Sequence, residues 1–513
     1  MATATQVTGA WILILLYMAV VLFFVIRGAS KIKNISDYAL GNILFSPYAV
    51  GLSLAAAMTS AATFVINPGL IANFGISGVI SYGIALPIAA VASLALLTKS
   101  FRKYGETVKA LTLAQWIGKR YNSKAYSLFM AFLSLLLITF IVLILVAIVS
   151  VISKAINADP IWVLTGVVVF VFGYMMFGGA NSMVYTNTIQ ALIMLVVAFI
   201  LLGSGIKFFS DGIGGFFAQL REIDPALTTP INPGSPLFRN FYEIIFAQVV
   251  VGIAIVVQPH IITKSLLLKK ESDVNKFLVT AVVVELIFFF VVFAGLYARL
   301  AFPDLSIEGV ALKNDEIIPV FVVQLFAGNI LAVIIGLVVV LGLMSAGMST
   351  LEGLIQSVST SITSDIIKPI VGENNLSDAA QIRINKAAII ALGVVAWFIA
   401  RGQIINPNLS VAILAQNGVY AFFSAAFIPV IFGVFVKDIK THIPFTATIT
   451  AVVVHFTVFF GLEPLVEAGW NFGFFSQFLV GPVKNPAIAS STAIVVSTLV
   501  AFILLIIQKK KKS

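Results

Sequence analysis

Thirteen long apolar stretches, separated by charged or Gly/Pro-rich loops, run through this chain and leave few architectures open to it. A helix needs about 20 apolar residues to cross the roughly 30 Å hydrocarbon layer of a bilayer, and nearly all of the stretches reach that length. Only 10% of the residues are charged, whereas about 25% is usual for a soluble domain. The sequence therefore predicts an all-α polytopic membrane protein. The predicted spans lie near 7–27, 46–70, 75–98, 123–150, 160–177, 181–207, 241–263, 276–300, 328–366, 385–401, 408–436, 442–461 and 486–507.

Basic residues are concentrated on alternate loops of this arrangement. If the N-terminus lies outside, 23 of the 31 basic residues, Lys264 among them, fall on the cytoplasmic side. An excess of Lys and Arg in cytoplasmic loops is the rule for helical membrane proteins. The bias predicts an odd number of spans in the plasma (cytoplasmic) membrane, with an outside N-terminus and a cytoplasmic C-terminus. The net charge of +10 thus reflects topology, so we expect a lipid bilayer as partner and no nucleic acid.

Cysteine is absent from the chain, and only three histidines occur, at His260, His442 and His455. Disulfides, thiolate metal sites and cysteine nucleophiles are therefore excluded, and little material is left for a zinc site. The sequence contains neither HExxH nor GxSxG. A membrane-embedded hydrolase is accordingly the weakest alternative, and we expect a protein that is not an enzyme and has no cofactor.

Two of the apolar stretches are interrupted by polar and helix-breaking residues. In the second, a hydroxyl-rich segment from Thr59 leads to Pro68-Gly69, which predicts a break in the helix there. In the seventh, Gln258-Pro259-His260 follows a run of aliphatic residues. Two interrupted spans, five apart, indicate an inverted-repeat transporter with its binding site at the breaks. The alternative for the second span is a kinked helix whose hydroxyls bond to their own carbonyls.

A stripe of small and polar residues, from Ser345 to Ser364, follows one face of the ninth span. Small residues can simply allow close helix packing, but the stripe also contains Glu352, with no basic residue in the same span. A carboxylate in that setting must be protonated, hydrated or paired with a cation. Asn187, in the sixth span, is a candidate partner. The other mid-span acid is Glu285, for which we favour a structural hydrogen bond to another helix.

Several motifs, in the correct order, resemble those of the solute:sodium symporter family over most of the chain. The matching segments are Ser36–Gly41, Ser60–Gly69, Thr112–Tyr121, Gly178-Gly179 with Tyr185–Gln190, Gln258–Ile262, and Ala346–Thr350. They are closest to the pantothenate, monocarboxylate and proline branches. The resemblance implies a single transporter domain, 1–513, with a LeuT-type core of five plus five inverted helices. In this chain that assigns 7–27 to an extra helix, 46–207 and 241–436 to the two repeats, and 442–507 to two C-terminal helices.

The resemblance also implies a sodium site between the first and eighth core helices. Its ligands would be the carbonyls of Ala56, Thr59 and Ala346 and the hydroxyls of Ser349 and Thr350. Such neutral oxygens suit a small hard cation, so Na⁺ is the expected coupling ion and the only expected metal.

Departures from the family pattern are equally informative. Relatives with a second sodium have an aspartate where this chain has Asn187, and a serine where it has Glu352. We therefore expect Glu352 and Asn187 to hold a second cation or a proton that is coupled to transport. Met58 replaces the proline carriers' aspartate, while Ala62 and Thr63 replace a polar pair of the sugar carriers, which argues against both substrates.

The residues expected to face the substrate lie at the two breaks and in the eleventh span. They are Ser60, Thr63, Phe64, Gln258, Gln416, Asn417 and Tyr420. An anionic solute could be bound there by hydroxyls and helix N-termini. The predicted function is sodium-coupled symport that imports a small organic solute, for example a carboxylate, by alternating access. Proton-coupled symport through Glu352 is the alternative.

Overall fold

Helices make up nearly all of the computed structural model, which describes residues 2–41, 45–108, 110–268, 270–372, 375–406 and 410–510. In the described chain, ten helical segments are long and apolar enough to cross a membrane, and two bent pairs bring the total to twelve if each pair is one span. In chain order the segments are α1 (Ala4–Ala29), α2 (Pro47–Met58), α3 (Ala62–Phe74), α4 (Ile76–Lys103), α5 (Lys124–Ile156), α6 (Pro160–Phe209), α7 (Tyr242–Ile255), α8 (Pro259–Leu267), α9 (Glu271–Ala301), α10 (Ile330–Val371), α11 (Asp378–Ile405), α12 (Val411–Phe435), α13 (His442–Gly461) and α14 (Pro486–Lys510).

Short elements connect these segments outside the spans. The helices among them are Ile35–Leu40, Leu113–Arg120, Gly212–Ile223, Asn314–Leu325, Glu463–Glu467 and Ser476–Leu479. Two strands, Ser306–Ile307 and Val310–Ala311, form a small antiparallel hairpin in which Ser306 pairs with Ala311.

Large apolar side chains cover the outward faces of the long helices. On α1, for example, Ile12, Leu16 and Ile26 are each more than 60% exposed. Contiguous apolar surface of this extent is stable only against lipid. The prediction of an all-α membrane protein is thus confirmed.

Segment α6 accounts for two of the predicted spans. It is 50 residues long, or about 75 Å at 1.5 Å per residue, which is more than twice the thickness of a bilayer core. Gly179 interrupts it with non-helical dihedrals (φ 62°, ψ −169°), which lie in a region that only glycine adopts readily. The structure therefore joins spans 160–177 and 181–207 across a kink, and the count of thirteen stays a prediction.

Other predicted boundaries also change. The short span 385–401 becomes a 28-residue helix, α11, and the described part of span 408–436 forms α12, Val411–Phe435. Positions 408 and 409 lie outside the described residues. The basic residues Lys109, Lys269, Lys511 and Lys512, which enter the charge bias, also lie outside them. The orientation stays a prediction.

The first bent pair, α2 and α3, breaks earlier than predicted. Segment α2 ends at Met58, Thr59 is extended (φ −100°, ψ 93°), and the axis turns by 54°. Pro68 instead lies inside α3, directly after its π-helical turn, and the residues before it keep helical dihedrals. A local π-helical turn can accommodate a proline within a membrane helix. The prediction of a break at Pro68-Gly69 is wrong, because the helix continues through both residues.

The second bent pair, α7 and α8, breaks where the sequence predicts. Segment α7 ends at Ile255, and the axis turns by 56° before α8. Gln258 has extended dihedrals and caps the next helix, with Pro259 at its first turn. Proline is favoured at that position because the first helical N–H groups have no intrahelical acceptor.

The two breaks face each other inside a common core. Segment α2 packs against α6, α9 and α10, while α8 contacts α2, α4 and α10. Because α10 touches both broken pairs, it is the element on which a site between them can be built.

Candidate functional site

The end of α2 meets the polar stripe of α10 through hydroxyl-to-carbonyl contacts. The hydroxyl of Ser349 donates to the carbonyl of Ala56 at 2.7 Å and lies 3.2 Å from that of Ala346. The hydroxyl of Thr350 donates to the carbonyl of Ala57 at 3.1 Å and lies 3.5 Å from that of Ala346. These carbonyls of α2 are available because the last four carbonyls of a helix have no intrahelical partner.

All of these oxygens are neutral and shielded from solvent. Ser349 and Thr350 are both 0% exposed. A hydroxyl can rotate to turn its lone pairs towards a cation, and carbonyl and hydroxyl oxygens are the ligands that hard cations prefer. The donor set therefore fits a sodium ion.

Four of the five predicted sodium ligands meet at this point, and the structure adds the Ala57 carbonyl, which sequence reasoning missed. For Thr59 the described contacts show a buried hydroxyl without a hydrogen-bond partner. The break after Met58 brings Thr59 next to the end of α2. Its assignment as a ligand stays a prediction.

Glu352 lies three residues beyond Ser349 on α10, and it is 1% exposed. Its carboxylate accepts hydrogen bonds from Tyr174 at 2.5 Å, Thr186 at 2.7 Å and Gln190 at 3.3 Å, all on α6. Gln190 also donates to the hydroxyl of Tyr17, at 2.7 Å. Sequence reasoning missed both tyrosines, because nothing in the spacing of α1 or α6 links them to α10.

Asn187 connects Glu352 to a buried lysine. Its side-chain amide is oriented by its neighbours, with the nitrogen donating to Glu352 at 3.0 Å and the oxygen accepting from Lys264 Nζ at 3.1 Å. Lys264 Nζ also donates to the hydroxyl of Ser53, at 2.7 Å. The lysine is 3% exposed.

The assignment of Lys264 to a cytoplasmic loop is therefore wrong. The bend after α7 turns α8 back into the protein, so Lys264 points at α2 and α6. A hydropathy pattern places any lysine at the end of an apolar stretch in a loop. It does not show that the chain bends between α7 and α8.

A cavity of about 80 Å³ lies between the two breaks. Five of the predicted substrate-facing residues line it: Ser60, Thr63, Gln258, Gln416 and Tyr420. His260 lines it as well. Within the described residues, neither ring nitrogen of His260 nor the side-chain oxygen of Gln258 has a hydrogen-bond partner.

Two predicted substrate-facing residues lie elsewhere. The ring of Phe64 packs edge-on against Phe288, with 5.5 Å between the ring centroids. The side-chain oxygen of Asn417 pairs with His455 Nε2 at 2.8 Å. Both residues sit on helices that border the cavity, but their side chains point into the packed core, which a residue's position in a span does not reveal.

Glu285, the other acid predicted to lie in the middle of a span, has no hydrogen-bond partner among the described residues. It is 0% exposed, and neither carboxylate oxygen has a hydrogen-bond partner in the described part of the chain. The predicted structural hydrogen bond is therefore wrong.

Comparison with known proteins gives a consistent result. A family model described as the sodium:solute symporter family matches residues 38–450. The sodium/pantothenate symporter of Haemophilus influenzae is 27% identical over 334 residues, which is 63% of this chain and 65% of that protein. Sodium/proline symporter 2 of Staphylococcus saprophyticus is 25% identical over 492 residues, or 92% of this chain and 91% of the relative. The chain thus spans just under two thirds of the Haemophilus protein in that match.

Solved structures show the same architecture. A sodium-coupled sialic acid symporter in a substrate-bound, outward-open state superposes with a TM-score of 0.73 at 17% identity, covering 96% of this chain and 98% of that one. MhsT in complex with L-phenylalanine gives a TM-score of 0.51 at 13% identity, covering 88% and 98%. At these identities the likeness shows the fold alone, which is of the LeuT type.

Proposed function

The chain belongs to the sodium:solute symporter family, and we propose that it is a secondary active transporter that imports a small organic solute together with Na⁺ by alternating access. The observation that carries the proposal is the contact of Ser349 and Thr350 on α10 with the freed carbonyls of Ala56 and Ala57 on α2. These oxygens lie where two broken helices and a cavity meet.

Coupling follows from the position of these oxygens. A sodium ion bound between α2 and α10 holds the broken helix against its neighbour, and the same break carries Ser60 and Thr63 into the cavity. Sodium thereby favours the conformation in which the solute site is formed. By linkage, each ligand raises the affinity for the other by the same factor.

The lining of the cavity supports a small solute with a carboxylate or another hydrogen-bonding group. Segment α3 begins at the cavity, where the hydroxyl of Ser60 accepts from the N–H of Ala62 at 3.1 Å. The N-terminus of a helix carries a partial positive charge that favours an anion. The side-chain oxygen of Gln258 and the ring nitrogens of His260 have no partner among the described residues, and a solute can satisfy them.

The solute site is tested by counterflow of labelled solutes in proteoliposomes, with carboxylates included in the panel. For the solute that exchanges, Gln258→Ala and Thr63→Val are each expected to raise KM about fivefold, since one lost hydrogen bond costs about 1 kcal/mol. Thr450→Val is the matched control, because this hydroxyl is exposed and bonds only to its own helix. Unchanged KM in both cavity variants would contradict the assignment.

A second candidate is symport in which Glu352 takes up a proton or a second cation. The favouring observation is a buried carboxylate one turn beyond Ser349, held by three donors on α6. Under this candidate, Glu352→Gln is expected to remove the part of uptake that a pH gradient drives, or to lower the number of sodium ions per solute. Uptake measured with the sodium concentration and the pH varied separately tests this candidate. If neither quantity changes, the candidate is excluded.

A further inference from the structure

The ammonium group of Lys264 lies inside the protein, in a cluster where a lysine, an amide and a carboxylate meet. Taking an ammonium out of water is costly unless nearby groups compensate its charge. Here the compensating groups are the Ser53 hydroxyl, the Asn187 amide oxygen and, beyond that amide, the carboxylate of Glu352. The cluster joins α2, α6, α8 and α10.

The Asn187 amide hydrogen-bonds to Glu352 with its nitrogen and to Lys264 with its oxygen. Its nitrogen can only donate and its oxygen can only accept, so one side chain satisfies a carboxylate and an ammonium at once. An aspartate in its place would set a second negative charge against Glu352. Asparagine at position 187 is thus the residue that a lysine–glutamate arrangement requires.

The cluster also adjoins the sodium ligands. Glu352 lies one helical turn beyond Ser349 on α10, and Ser349 supplies a hydroxyl to the sodium site. A charge placed at Glu352 is therefore felt at that site, since Coulomb interactions are weakly screened in a protein interior. A free carboxylate here would attract a second cation.

We propose that Lys264 is a built-in cation that neutralises Glu352 through Asn187, so that the protein binds one Na⁺, at the α2–α10 contact, and none at Glu352. The inference rests on the proposed function, because it assigns the ion stoichiometry of that same symporter. Under this proposal the cation that neutralises Glu352 is the Lys264 ammonium, and the expected second bound cation is not needed.

The test is the number of sodium ions bound per molecule, measured with ²²Na⁺ on the purified full-length protein in nanodiscs. Wild type is expected to bind one ion. Lys264→Met leaves the carboxylate uncompensated and is expected to bind two, while the double variant Lys264→Met/Glu352→Gln returns to one. A ratio of two in wild type, or of one in Lys264→Met, overturns the proposal.

Two further variants serve as control and as replacement. Lys276→Met removes a lysine of the same region whose side chain is 57% exposed, and its ratio is expected to stay at one. If Lys264→Met does not fold, Asn187→Asp takes its place, since it adds a negative charge and keeps the lysine. It is expected to bind two ions, and a ratio of one overturns the proposal. If wild type binds no sodium at all, this result contradicts the proposed function itself.

Discussion

Replacement of both Ser349 and Thr350 by alanine is expected to abolish sodium-stimulated uptake. Each of the two hydroxyls donates from α10 to a carbonyl of α2. Loss of an interaction between a polar group and a charge costs about 1.5–3 kcal/mol. Two losses therefore lower sodium affinity about 10²- to 10⁴-fold. The measurement is uptake into proteoliposomes against sodium concentration, together with ²²Na⁺ binding.

The same helix offers a matched control in Ser359 and Thr360, which are also an adjacent, buried serine–threonine pair. The hydroxyl of Ser359 bonds to the carbonyl of Gln356 within the helix, and that of Thr360 has no partner in the described chain. Alanine at both positions is expected to leave the sodium dependence intact. Sodium-dependent uptake that survives in the Ser349/Thr350 variant would refute the site.

The sequence predicts the existence of the two breaks better than their positions. At the second break, Gln258 and Pro259 lie where the helix restarts, since a proline is accepted in a first turn. Proline misleads at Pro68, because this residue lies inside α3, while the break itself falls at Thr59. Thr59 is an ordinary residue in a run of small ones, and it is extended because α10 supplies partners for the freed carbonyls of α2.

Some residues of the candidate site could be predicted from the sequence, and others could not. Periodicity places Ser349, Thr350 and Glu352 on one face of a helix. In the structure the first two bond to α2, and Glu352 bonds to α6. Lys264 could not be found in this way, because its position depends on the 56° bend between α7 and α8. Side-chain direction is also invisible in the sequence, so Phe64 and Asn417 belong to the right segments but face away from the cavity.

Close backbone contacts hold α3 in place after the break. At Gly295 of α9, a Cβ atom would overlap the carbonyl of Pro68, and at Gly69 it would overlap the carbonyl of Asn314. Both obstacles are backbone atoms, which cannot turn away as the end of a side chain can. The sodium site depends on this packing because α3 begins at Ala62, shortly after α2 ends at Met58. The position of α3 therefore constrains the end of α2, which carries the ligands.

Gly295→Ala is therefore expected to destabilise the protein by about 3 kcal/mol, the upper end of the usual cost of overpacking. Two glycines of α6, Gly166 and Gly173, are the controls, since a Cβ there meets nothing within 4 Å. Alanine at either is expected to be neutral or to raise stability by up to about 1 kcal/mol through helix propensity. The readout is the thermal unfolding midpoint of the purified proteins, with and without sodium. Equal midpoints for Gly295→Ala and the controls would show that α9 does not pack closely against α3 at Pro68. They would also contradict the inference that this packing keeps the broken helix beside α10.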